Sequence, residues 1–200
     1  MSTARLFFAV DPPAEARAHL AAAVDPLRAL PGAPRWTPPD RWHLTLLFLA
    51  AVPRALVPEL VEAAAPAVAA TPPMRLRLAS GGRFGSARRP QVAWAGLDGD
   101  VVPLTELARR LGVVAGGLGL PVEDRPFRPH LTLGRWRPRQ AADGSLTDRL
   151  AGYRGPGWVA DEVRLWESRL GAESRYERVA AWPLVPRAEE PMPTEPGRKP

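Results

Sequence analysis

The tetrapeptide His-Leu-Thr-Leu occurs twice, at His43 to Leu46 and at His130 to Leu133, in a chain with only three histidines. In an extended strand successive side chains point to opposite faces, so each copy sets an imidazole and a hydroxyl on one side and two leucines on the other. If both copies face one cleft, His43, Thr45, His130 and Thr132 form a set suited to phosphoryl chemistry. One imidazole takes a proton from the nucleophile and the other gives one to the leaving oxygen; an ordinary histidine pKa of about 6.5 permits either role near neutrality. The threonine hydroxyls can donate to non-bridging phosphate oxygens, where negative charge grows during reaction. Arg135, five residues after His130, offers a bidentate cation for the same oxygens. That spacing is odd, so reaching the cleft requires a twist or bulge after Gly134. Phe127 and Trp42, beside the motifs, are candidate stacking faces for a base, and equally candidates for ordinary core aromatics.

No metal and no other cofactor is required by this chemistry. Zinc fits less well: a catalytic site needs three protein ligands, the chain has no cysteine, threonine is a poor ligand, and Asp40 would point sideways or away from His43. The third histidine, His19, sits in a helical segment just before Leu20 and reads as a solvated helix residue.

The elements that must hold these groups are legible from the apolar pattern. Arg5 to Val10 reads as a strand, Ala14 to Leu30 as a helix with Leu20, Val24 and Leu27 on one face, and a second strand starts near Trp42. A helix follows through Val52 to Ala70, its end uncertain around Pro66. Met74 to Ser80 and Gln91 to Leu97 read as strands around a loop, "GGRFGSARRP", with a helix after them and a strand again at "HLTLGRW". After a polar loop through Gly157, "EVRLWESRL" and "RYERVAAWPLV" read as a hairpin. Residues 1–185 are expected to form a single domain, and the Pro-rich stretch 186–200 a disordered tail.

Sliding the chain against itself adds a constraint. His43 and His130 lie 87 residues apart, and the same offset pairs Asp11 with Asp98, "RLRL" at Arg75 with "EVRL" at Glu162, and "QVAW" at Gln91 with "RVAA" at Arg178. Four matches in one frame indicate two copies of a strand-helix-strand-helix-strand unit.

Composition bounds the rest. The chain has 200 residues, 46% hydrophobic, enough for one domain or two small lobes sharing a core. The absence of cysteine excludes disulfides and thiolate metal sites. No apolar run approaches the roughly 18 residues of a membrane span, and the N-terminus lacks a signal-peptide pattern, so a cytoplasmic protein without a membrane partner is expected. A net charge of +6 suits a polyanionic partner, although only Lys199 among the 27 basic residues is lysine, as a GC-rich coding bias would also give.

Taken together, "RLFFAVDPP", "WHLTLLFLA", "RPFRPHLTLGR" and "ESRLGAESRYERVAAWPL" resemble the 2H phosphoesterase superfamily, specifically its bacterial RNA 2′,3′-cyclic phosphodiesterase branch, related to the 2′-5′ RNA ligases. The resemblance covers roughly residues 4–185, with Ala50 standing where the family commonly has glycine, a change that bears on a turn after the strand. It implies an α+β fold of two pseudo-symmetric lobes, each an antiparallel sheet with outer helices, around a central cleft. It further implies an enzyme that opens 2′,3′-cyclic phosphate ends of RNA or oligonucleotides without metal. His43 would be the proton donor to the leaving 3′ oxygen and His130 the proton acceptor from water, leaving a 2′-phosphomonoester. The repeat cannot assign these roles, since it makes the histidines equivalent. A monomer is expected. The alternatives are 2′-5′ ligation, hydrolysis of a small cyclic nucleotide, or a non-catalytic RNA-binding module that would have no use for two imidazoles.

Overall fold

The computed structural model describes residues 2–138, 142–169 and 175–186. Within them nine strands and three α-helices alternate along the chain: β1 Thr3–Val10, α1 Ala14–Arg28, β2 Arg35–Trp36, β3 Leu44–Pro53, α2 Val57–Ala69, β4 Met74–Gly85, β5 Pro90–Gly99, α3 Val101–Gly117, β6 Leu131–Arg135, β7 Arg154–Ala160, β8 Glu162–Arg169 and β9 Arg175–Pro183. All strand pairs are antiparallel, and the sheet runs β7-β4-β5-β6-β3-β1-β8-β9, with β2 paired to β6 off this path. The two halves, β7-β4-β5-β6 and β3-β1-β8-β9, meet through a single β3–β6 register pair, Leu44 with Leu131. This is the α+β, two-lobed arrangement expected, with the repeated motifs at the seam.

The lobes are not consecutive pieces of chain. Counted outward from the seam, β3, β1 and β8 on one side match β6, β5 and β4 on the other, so the two repeat units have exchanged their third strands. The "QVAW"/"RVAA" match is not a structural equivalence, because β5 is second from the seam and β9 is outermost. Exchange ties the lobes into one body: Leu6, Phe8, Val10, Leu44, Leu76, Ala93, Leu131 and Val163 share one core with the helix residues Leu20, Val24, Leu60, Val68, Leu104 and Leu111.

Three local readings are corrected. The expected loop after Ser80 is strand as far as Gly85, carried by a pairing with β5 that includes a register shift between Ala79 and Gly81. The expected loop before Glu162 contains a 3-10 segment, Gly144–Leu150, and β7. Pro156 within "RGPGWVA" argues against a strand, but β7 is an edge strand, where a proline is tolerated. Ala50 lies inside β3, which continues to Pro53, so no turn occurs there. Of the expected tail, all but Pro186 lies outside the described residues.

Candidate active site

The Leu44–Leu131 pair fixes the geometry of the repeated motifs. Extending its antiparallel register by one residue sets His43 across from Thr132 and Thr45 across from His130, all four on the face opposite the buried leucines. Residues directly opposite in such a pair stand about 4.5–5.5 Å apart at Cβ and diagonal ones roughly 7–8 Å. The two imidazoles occupy one diagonal and the two threonines the other.

Each ring is oriented by the same device. His43 Nδ1 donates to the Arg41 carbonyl at 2.8 Å, and His130 Nδ1 to the Arg128 carbonyl at 2.6 Å. A carbonyl only accepts, so the proton of the neutral ring sits on Nδ1 and Nε2 keeps its lone pair. The prolines that precede each histidine by one to four residues, Pro39 and Pro129, hold these approach segments out of the ladder and so free the carbonyls to accept.

A β-bulge falls at the last residue of each motif. On β3 the partners of Phe8 and Ala9 are Leu47 and Thr45, which leaves Leu46 as the extra residue. On β6 the partners of Ala93 and Trp94 are Gly134 and Thr132, which leaves Leu133. The extra residue reverses the alternation, so Arg135 returns to the face of Thr132 and His130. The bulge demanded by the odd spacing is present, one residue earlier than Gly134. Gly134 itself faces β2, and a Cβ there would stand 2.8 Å from the Arg35 carbonyl oxygen. Arg135 is exposed and, among the described residues, has no ion pair or side-chain hydrogen bond.

The surroundings distinguish the two histidines. Phe7 stacks on His43 with centroids 4.6 Å apart, and Tyr176 stands perpendicular to both at 5.0 and 5.5 Å. Phe84 meets His130 edge-on at 4.9 Å. Burial pushes the His43 pKa down, with the nearby His130 adding to the fall, while the Arg41 carbonyl and the Asp11 carboxylate oppose it. Burial also lowers His130, with the Arg135 guanidinium adding to the fall and the Arg128 carbonyl opposing it. A carboxylate therefore attends His43 and a cation attends His130. Asp11 is held in place by Arg164, whose Nη1 lies 2.7 Å from Oδ2 and whose Nε donates to Glu162.

The structure brings His43, Thr45, His130, Thr132 and Arg135 together. Of the proposed stacking residues, Trp42 is 1% exposed within the core, although it also lines the cavity beside His43. Phe127 is half-buried and packs against the same core. The rings that touch the histidines are Phe7, Tyr176 and Phe84, which sequence reasoning passed over. Phe84 fell in a segment read as loop, and Phe7 in an apolar run with no alternation to mark its face. Asp11 carried a signal, as a position of the repeat, without an evident use. His19 lies on α1, hydrogen-bonded through Nδ1 to the Tyr153 hydroxyl at 3.1 Å, outside this cluster. Among the described residues no three His, Asp or Glu side chains group as metal ligands, and no helix is long and apolar enough to cross a membrane.

A model of the 2′-5′ RNA ligase superfamily matches residues 12–172. An RNA 2′,3′-cyclic phosphodiesterase of Escherichia coli strain K12 is 35% identical over 185 residues, 90% of this chain and 97% of that protein. One of Geobacillus stearothermophilus is 31% identical over 150 residues, 75% of this chain, which spans only 48% of that relative's length. The crystal structure of E. coli LigT complexed with 3′-AMP matches with a TM-score of 0.75 at 28% identity, covering 92% of this chain and 99% of that one.

Proposed function

The chain belongs to the 2′-5′ RNA ligase superfamily, and on that premise we propose that it hydrolyses 2′,3′-cyclic phosphate ends of RNA to 2′-phosphomonoesters by acid–base catalysis between two histidines. The observation that carries this reading is the seam itself. Extending the Leu44–Leu131 register puts both imidazoles on one face, and both are held through Nδ1, with no hydrogen bond at Nε2 among the described residues. An RNA-binding module has no use for that arrangement.

The step balances with water alone. The water oxygen attacks phosphorus as Nε2 of His130 takes its proton. The bond from phosphorus to O3′ breaks, and Nε2 of a protonated His43 gives its proton to O3′. The phosphate stays on O2′. The charges nearby favour this assignment over its reverse: the Asp11 carboxylate stabilises an imidazolium at His43, and the Arg135 cation keeps His130 neutral and able to accept. Thr45, Thr132 and Arg135 stand on the same face, where they can donate to the non-bridging oxygens as charge builds.

Each proton transfer contributes typically a hundred-fold or more. His43→Ala and His130→Ala should therefore each reduce kcat by about that factor or more, with the circular dichroism spectrum and melting of the wild type. Near wild-type turnover in either variant would refute the two-histidine mechanism.

A further inference from the structure

The two sides of the histidine pair are unequal. Beside His43 the cleft opens into a cavity of about 410 Å³, within the range of roughly 300–1,000 Å³ usual for small-molecule sites. Its walls include Tyr176, Trp166, Arg41, Asp40, Arg175 and Glu177. Beside His130 stand the edge-on ring of Phe84 and the exposed Arg135.

In-line displacement at phosphorus puts the entering and leaving oxygens on opposite sides of the phosphoryl group. The leaving O3′ remains bonded to the ribose after the P–O3′ bond breaks, so the ribose and its base must lie on the side of the proton donor. The water, and the base catalyst that deprotonates it, take the other side. Resting on the hydrolytic reading above, with His43 as donor, we propose that the cavity beside His43 is the subsite for the 3′-terminal nucleoside, with Tyr176 the stacking face for its base, and that water arrives from the side of His130 and Phe84.

Tyr176 is built for that task. Its ring stands perpendicular to the stacked Phe7–His43 pair, at 75° and 85°, so neither ring is a parallel stacking partner that a base would have to displace. Packing against Phe7 and His43 holds it in place, so little freedom remains to be lost on binding. The Arg41 guanidinium lies over the Tyr176 ring, 6.0 Å from its centroid, so a base stacking on that face moves the long Arg41 side chain outward, where it can cover the base. Every base has a π-face, so stacking here gives affinity for a nucleoside with little choice among A, C, G and U.

The test compares nucleoside 2′,3′-cyclic phosphates with the base-free 1-O-methylribose 2′,3′-cyclic phosphate, for the wild type and for Tyr176→Leu, Tyr176→Phe and Phe84→Leu. The wild type should favour the nucleoside substrates. Tyr176→Leu should raise KM for them by about tenfold or more beyond whatever change it causes on the base-free substrate, while Tyr176→Phe retains the preference. Phe84→Leu should affect both substrate types alike. Equal losses on both substrates in Tyr176→Leu would reduce Tyr176 to a support for His43 and overturn the subsite. Loss of the base preference in Phe84→Leu would place the nucleoside in the opposite lobe and overturn it too. A wild type that cleaves no cyclic phosphate at all would refute the proposed activity itself, an outcome distinct from these.

Discussion

Replacing Arg135 by alanine should lower activity without lowering stability. The bulge at Leu133 delivers this side chain to the face of His130, where no carboxylate partners it among the described residues. A hydrogen bond from a cation to a phosphate oxygen is worth about 1.5–3 kcal/mol, and because Arg135 is exposed and water competes, the lower end applies. A loss of about 1.5 kcal/mol corresponds to roughly tenfold in kcat/KM. Folding should not suffer. Arg135 lies directly across from Arg35 in the β2–β6 pair, and like charges so placed destabilise by a few tenths of a kcal/mol. Removing one should leave the melting temperature unchanged or raise it slightly. Without the guanidinium, His130 also binds its proton more readily, so the pH profile of kcat/KM should move upward. The assay is kcat/KM on oligonucleotides ending in A, C, G or U 2′,3′-cyclic phosphate, alongside thermal melting. A loss confined to one base would show that Arg135 reads a base edge. A falling melting temperature would show that its role is structural. Either result defeats the reasoning.

Two further outcomes follow from the same geometry. Both imidazole pKa values lie below the ordinary 6.5, and the reaction needs one ring protonated and one neutral. The kcat/KM profile, which reports the free enzyme, should therefore peak below pH 6.5 and decline toward neutrality; a maximum above pH 7 contradicts the burial argument. Gly134→Ala should destabilise by about 1–3 kcal/mol, because the added Cβ meets the Arg35 carbonyl oxygen at 2.8 Å and backbone cannot swing aside as a side-chain end can. It should also reduce turnover by disturbing the bulge that delivers Arg135, and an unchanged melting temperature would show that β2 yields freely.

The grouping of the candidate site was legible because duplication wrote it twice. His43, Thr45, His130 and Thr132 share a tetrapeptide, a face and an offset of 87, and alternation along a strand is enough to put imidazole and hydroxyl together. Arg135 was legible conditionally, through a parity argument that required a bulge, and the bulge lies one residue from the expected place. What could not be read depends on contacts between segments far apart in sequence. The β4–β5 hairpin is local, but nothing local says that β8 joins β1, so the strand exchange was hidden, and with it the approach of Tyr176 to Phe7 and His43. For Trp42 the sequence left two readings open, and the structure keeps features of both: it is 1% exposed, as a core aromatic is, and it lines the cavity beside His43. The edge position of β7 excuses Pro156, but edge and centre are properties of the assembled sheet.

Metal-independent opening of a 2′,3′-cyclic phosphate, with His43 as the acid on O3′, can be put to one decisive measurement. The EDTA-treated protein is incubated with an oligonucleotide ending in a 2′,3′-cyclic phosphate, and the phosphomonoester formed is identified. Turnover should be undiminished, with a 2′-phosphate as the sole product. Loss of activity in EDTA that zinc restores would contradict the two-histidine chemistry, and a 3′-phosphate product would contradict the assignment of the leaving oxygen.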